Sequence, residues 1–208
     1  AVAAGEPTVT SLVGGGMLVV RSARTGKVSV CDFFANAPLL SDGDVPNLDF
    51  YGIDLNYGPT TQKFHVGAGA AGVPGVIPGL CQALERWGTM DLATVVRPAC
   101  RMLRQGAVMG ARQAAMAQFL EPILTVKEKP RAVFAPGGTY LRGGDRFVLP
   151  QLADTIEALA THGWRDYYDS VLVPQMLKEC GPDAGGLLTA EDFEKYEVVF
   201  REPLAIQY

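Results

Sequence analysis

Gly67, Gly69 and Gly72 form a literal G-x-G-x-x-G within "HVGAGAAGVPGVIPGL", residues 65–80. That spacing wraps a pyrophosphate when a strand precedes it and an unbroken helix starts inside it, presenting amides and a positive dipole end to the anion. "QKFHV" can serve as the strand, but Pro74 and Pro78 push the residues before them away from helical angles. Gly75 and Gly79 weaken such a helix further. No acidic residue follows on a second strand at the offset that ribose recognition requires; Glu85 falls inside a helix instead. The small residues are better read as letting backbones pass closely beside a sheet, ahead of a helix starting near Pro78. Gly14, Gly15 and Gly16 precede a strand, so no helix dipole points at them, and they read as close packing or a bend at strand entry.

Other reactive side chains are scattered. His65 and His162 lie far apart, and neither has a metal partner at ligand spacing; His162 sits before Gly163, where a helix C-terminus favours a cation. Asp32, Asp42, Asp44, Asp49 and Asp54 fall in or near one stretch without the spacing of a calcium loop, and read as surface acids. There is no G-x-S-x-G elbow. Cys31, Cys81, Cys100 and Cys180 are widely spaced, with no C-x-x-C, and the first three sit in apolar patterns where a free thiol behaves as a small hydrophobe. No metal or cofactor is implied, and on motifs alone no catalytic residue is assigned in this chain.

The elements that must position any site are clearer. "MLVVRS" and "KVSVCDF" are β-rich runs joined by "ARTG", a hairpin with Gly26 in the turn; the first strand is nearly all apolar and is expected to be buried on both faces. Residues 35–61 break into Pro, Gly, Asp and Asn and read as a long loop. A helix is predicted over 78–87, opened by Pro78 and closed by Gly88. Leu92, Val95, Ala99, Met102 and Leu103 share one face of the next, which Pro98 should kink or divide. Further helices are predicted over 110–120, from Pro150 to Gly163 with Leu152, Ile156 and Leu159 inward, and over 166–180 with an interruption at Pro174. Thr189 with Asp192 makes an acidic capping box before a short helix and a final strand. Strands, then several helices, then a strand give an α+β architecture.

The chain has 208 residues, 18 basic and 22 acidic, so it carries no basic footprint for nucleic acid. No apolar run approaches the roughly 18–20 residues of a membrane span, and neither a nucleic-acid nor a membrane partner is expected. "AVAAGEP" resembles the tail of an alanine-rich helix, and "EVVFREPLAIQY" breaks off in a β-rich run, so residues 1–208 are expected to be part of a larger protein, truncated at both ends.

Several stretches together resemble the gamma-glutamyltranspeptidase family, specifically its large subunit. They are "EPTVTSLVGGGMLVV", "TGKVSVCDFFANAP", "AGVPGVIPGLCQALERWGTMDLATVVRPACRMLRQG", "GGDRFVLPQLADTIEALATHG" and "GGLLTAEDFEKYEVVFREPL", in the family's order over nearly the whole chain. The resemblance implies a four-layer αββα sandwich of N-terminal-nucleophile hydrolase type, built by two subunits cut from one precursor. It implies a partner small subunit from the same precursor, whose N-terminal threonine attacks a small-molecule amide with its own α-amino group as base. It also places Gly72-Val73-Pro74-Gly75 in a helix-entry turn.

One departure bears on substrate. Members that handle glutathione carry Asp-Phe-Arg after the core strand, the arginine holding the α-carboxylate of the γ-glutamyl group. Here the run is Asp32-Phe33-Phe34. Phenylalanine offers no charge-assisted grip on a carboxylate, a loss of about 2–5 kcal/mol in a desolvated site. Arg21 and Arg24 lie in or beside the hairpin turn, too far to replace it, whereas Asn36 is near enough to donate a hydrogen bond. Phe34 and Asn36 are therefore the substrate-binding candidates, Phe34 lining an altered acyl pocket or serving as a plain core aromatic. The favoured reading is an amidohydrolase or acylase with a non-glutamyl acyl group. The alternatives are a true γ-glutamyl hydrolase or transferase with a displaced cation, and a non-catalytic scaffold of the same fold.

Overall fold

A computed structural model describes residues 2–39 and 47–206; Asp42 and Asp44 lie outside the described residues. Along the chain, a short helix α1 (Val2–Gly5) leads through an extended loop to β1 (Gly16–Arg21) and β2 (Val28–Phe33). A second hairpin, β3 (Tyr51–Asn56) and β4 (Thr61–Val66), precedes the glycine-rich turn and helices α2 (Val76–Trp87) and α3 (Leu92–Gln105). Then come β5 (Ala107–Val108), α4 (Ala111–Phe119), α5 (Glu121–Leu124), α6 (Glu128–Phe134), β6 (Arg146–Phe147), α7 (Pro150–Thr161), α8 (Trp164–Tyr167) and α9 (Val173–Cys180). The helix α10 (Ala190–Glu194) and strand β7 (Val199–Arg201) complete the order.

The first hairpin forms as its sequence predicts: Gly26 takes a φ of 70°, and β1 and β2 pair antiparallel from Gly16↔Phe33 to Arg21↔Val28. Strand β7 adds to the other edge of β2, with Cys31 opposite Phe200, giving the antiparallel order β1–β2–β7. Side chains alternate across a strand. Leu18, Cys31, Phe33, Val198 and Phe200 turn toward Val76, Ala83 and Trp87 of α2 and form one core cluster. Arg86 lies 4.4 Å over the Phe200 ring, tying β7 to the same helix.

Strand β1 is not buried on both faces, contrary to its apolar composition. Met17 and Val19 are 65% and 64% exposed, and Val199 of β7 is exposed on the same face, across β2 with Asp32 between it and Met17. Among the described residues, helices cover only one face of this sheet, and the other, which carries Met17, Val19 and Val199 around the Asp32–Arg201 ion pair, is left open.

Two other expectations are corrected. Of the two outcomes expected at Pro98, a kink or a division, the division is not seen: α3 runs from Leu92 to Gln105 with the proline inside it. The proline is exposed, so the Thr94 carbonyl that loses its i+4 donor is compensated on the solvent side of the helix. Residues 51–56, read as loop, form a strand. Ile53 and Leu55 alternate with polar residues, and the turn is closed by Tyr57 N–H on the Thr60 carbonyl and Gly58 N–H on Asn56 Oδ1. The interruption at Pro174 is a wide π-turn over Tyr168–Leu172, with Pro174 in the first turn of α9.

Below the α2 layer, Ala99, Cys100 and Leu103 of α3 pack on Ala153 and Ile156 of α7. Ile77 and Cys81 of α2 meet Leu159, Tyr168 and Val173. This stack holds α2 rigidly against β2.

Candidate functional site

The glycine-rich turn is where two backbones come closest. Gly75 and Val76 both donate to the Gly14 carbonyl, and Asn36 and Val73 exchange a pair of backbone hydrogen bonds at 3.2 and 2.9 Å. A Cβ at Gly75 would lie under 3.0 Å from the Tyr196 hydroxyl and the Phe33 carbonyl, and one at Gly79 equally close to the Phe33 ring. The glycines are the contact surface between turn, helix and strand. The amides of the G-x-G-x-x-G are already used: Ala68 donates to Asp49 Oδ2 at 2.9 Å and Gly69 to the Asp49 carbonyl at 2.9 Å. A carboxylate therefore stands where a phosphate would have to sit.

Phe34 follows directly on β2 and is 63% exposed, outside every helix-packed cluster. Its N–H donates to Asp32 Oδ1 at 3.2 Å, and its carbonyl accepts from the Tyr196 hydroxyl at 2.9 Å. Asp32 Oδ2 meanwhile takes Arg201 Nε of β7 at 3.1 Å. Two residues on, Asn36 keeps its side chain exposed while its backbone bridges to Val73. Leu39 N–H then donates to Asp192 Oδ1 at 2.5 Å. Asp192, 3% exposed, also accepts from the N–H and hydroxyl of Thr189 through Oδ2 at 2.7 and 2.8 Å, completing the capping box of α10.

The structure thus brings Phe34 and Asn36 together on one segment, pinned by α10 and by the turn before α2. It keeps Arg21 and Arg24 away: Arg21 pairs with Val28, at the far end of the hairpin from Phe34. Phe34 lies six residues along the strand from Val28, about 20 Å. Of the other groups, His65 stacks on Phe50 with ring centroids 4.7 Å apart. His162 caps the C-terminus of α7, its Nδ1 3.1 Å from the Ala158 carbonyl. All four cysteines are free, and burial pushes the Cys81 thiol up to about 12, as befits a packing residue. Among the described residues no group of three or more His, Cys, Asp or Glu could hold a metal ion.

Tyr196 and Arg201 are contributors that sequence reasoning missed, and Asp32, read as a surface acid, has a largely buried side chain bonded to both Phe34 and Arg201. Nothing local marks Tyr196, which lies 162 residues from the carbonyl it serves. Burial, with Asp32 and Cys31 adding, pushes its phenol up to about 12, so at neutral pH it is a donor. A cavity of about 670 Å³ lies elsewhere, between the inner side of β1 and helices α2 and α3, lined by apolar residues such as Leu18, Leu80, Leu84 and Val95. Thr10 and Ser11 add hydroxyls and Cys81 a thiol to that apolar lining.

The described residues form an α+β fold, and the solved structures that resemble it include gamma-glutamyltranspeptidases of the N-terminal-nucleophile hydrolase class. The chain belongs to the gamma-glutamyltranspeptidase family, whose profile matches residues 1–208. It is 32% identical to the glutathione hydrolase proenzyme of Escherichia coli (strain K12), over 100% of this chain and 35% of that protein. It is 29% identical to the acylase ACY 1 proenzyme of Pseudomonas sp. (strain V22), over 98% of this chain and 36% of the relative. The crystal structure of Helicobacter pylori gamma-glutamyltranspeptidase superposes with a TM-score of 0.81 at 26% identity, covering 100% of this chain and 58% of the other. The chain spans about a third of the length of the curated relatives it matches.

Proposed function

We propose that residues 1–208 are part of the large subunit of a gamma-glutamyltranspeptidase-like amidohydrolase or acyl transferase that accepts a non-glutamyl acyl group. Phe34 and Asn36 line the acyl side of its pocket. The partner is a small subunit cut from the same precursor, whose N-terminal threonine attacks the amide carbonyl, its α-amino group taking the proton. The open face that carries Met17, Val19 and Val199 suits a second sheet laid face to face on the first. In this arrangement the chain supplies no catalytic residue. It shapes the acyl pocket and buries one side of the reaction from water.

The observation that carries the substrate reading is Phe34 itself. An exposed aromatic closes the strand where a carboxylate-holding arginine would be needed, and the hairpin cations lie at its far end. An uncharged acyl group gains from that ring; an α-carboxylate would be desolvated against it. Acylase proenzymes at 29% identity stand among the relatives beside glutathione hydrolases at up to 32%, so the substrate reading rests on Phe34 and not on the comparisons.

The test begins with the intact mass of the full-length protein under denaturing conditions. Two chains, the smaller starting at Thr or Ser, are expected; one chain that persists through long incubation would support a scaffold. Next, kcat/KM is compared for γ-glutamyl and phenylacetyl p-nitroanilides in the wild type and Phe34→Arg. The wild type should prefer the apolar acyl group. The substitution should shift the ratio toward γ-glutamyl by about 30-fold or more, the factor that 2 kcal/mol corresponds to. A wild type that prefers γ-glutamyl would overturn the reading.

A further inference from the structure

We propose that Asp32 and Tyr196 are positioning residues that fix the direction of the Phe34 side chain and so set the acyl selectivity of the site. The inference rests on the reading of Phe34 as an acyl-pocket residue.

Phe34 is the first residue beyond the paired length of β2, where a side chain ordinarily swings with its backbone. Here both of its peptide polar groups are held by side chains. Asp32 Oδ1 takes the N–H at 3.2 Å, and the Tyr196 hydroxyl donates to the carbonyl at 2.9 Å. Holding both peptide groups limits φ and ψ together, and with them the Cα–Cβ vector that aims the ring.

The two holders are themselves anchored. Asp32 is bound through its second oxygen to Arg201, and its side chain is only 15% exposed. Tyr196 follows the helix α10, which Asp192 caps and ties to Leu39. The hydroxyl reaches Phe34 only because Gly75 has no side chain, since a Cβ there would fall within 3.0 Å of the Tyr196 oxygen. Asn36 is locked to Val73 on the same segment. The Cα–Cβ direction of Phe34 is therefore set from the C-terminal side of the chain, and a pocket wall whose base is held discriminates acyl groups better than a free one.

The test uses the full-length, processed enzyme with phenylacetyl and γ-glutamyl p-nitroanilides. kcat and KM are measured for the wild type, Tyr196→Phe, Phe34→Ala and the double variant. Tyr196→Phe removes one oxygen and leaves the ring. It should raise KM for the preferred substrate about 3–10-fold, the value of one hydrogen bond, with kcat within about twofold. The selectivity ratio should shrink with it. In the Phe34→Ala background the same substitution should leave KM and the ratio unchanged, because no ring remains to be aimed. A purely structural tyrosine would instead act equally in both backgrounds. Equal effects, or no effect of Tyr196→Phe while Phe34→Ala alters the ratio, would overturn the positioning role and leave the Phe34 reading standing. A ratio unmoved by Phe34→Ala would overturn both. Should Tyr196→Phe fail to fold, Asp32→Ala, which removes the acceptor of the Phe34 N–H and the tie to Arg201, reads the same coupling.

Discussion

Gly79 sits inside a helix, where alanine would ordinarily stabilise by about 1 kcal/mol. Packing opposes that gain. A Cβ at this position would stand 2.6 Å from Phe33 Cδ1 and closer still to its Cβ and Cγ. Carbon atoms settle at about 3.5–4.0 Å, and Cγ would stand well inside that range, so ring or helix must retreat by more than about 1 Å. Phe33 has little room to yield: it is buried against Cys31 and Ala83, and a Cβ at Gly16 would already lie 3.0 Å from its far edge. Overpacking of this kind costs about 1–3 kcal/mol, and the rigid surroundings put it at the upper end. The net expectation for Gly79→Ala is a loss of about 1–2 kcal/mol, a fall of a few degrees in Tm. Thermal unfolding of the full-length protein, followed by near-UV circular dichroism, measures it. Phe33→Leu should cost less in the Gly79→Ala background than alone, because the smaller side chain relieves the clash. A Gly79→Ala protein melting at or above the wild type would refute the close approach of α2 and β2.

Asp192→Ala leaves Leu39 N–H, Thr189 N–H and the Thr189 hydroxyl without their acceptor, and should destabilise by about 2–4 kcal/mol. Asp192→Asn, keeping one carbonyl oxygen, should lose less, and a urea midpoint falling equally in both would count against the proposed network. With its thiol pushed up to about 12, Cys81 should resist iodoacetamide at pH 8 in the folded protein and react once denatured, as read by peptide mass spectrometry. Because the folded value lies above the unfolded one, Cys81 stabilises the fold below about pH 9 and loses that contribution as pH rises toward 12. Alkylation of folded Cys81 at the rate of a free thiol would show the α2 core to be open.

Local chemistry made part of this architecture legible. The Thr-Gly turn declared the β1–β2 hairpin, Pro150 and Gly163 bracketed α7, and Thr189 with Asp192 formed the capping box that their spacing suggests. The second hairpin stayed hidden because Gly52 and a polar partner strand weaken its alternation. Pro98 misled because an exposed proline in a helix packed on α7 costs little that water does not restore. β1 misled because composition cannot tell a face covered by the same chain from one left open. Phe34 and Asn36 were visible as a departure from a familiar run, but their supports were not. Tyr196 and Asp192 are joined to that segment across 162 and 153 residues, separations that leave no periodic signature.

Those separations also impose an order on synthesis. The β1–β2 hairpin can close as soon as residue 33 is available, but β7 pairs with it only after Arg201 has been made. At about 5–20 residues per second, the ribosome needs some ten to thirty seconds for the intervening chain. Throughout that interval β2 has one bare edge, and Phe34 has neither its tyrosine nor the arginine behind its aspartate. The segment around Phe34 is among the last parts of this fold to set, and the nascent hairpin is a stage at which a chaperone would find an unpaired strand to hold.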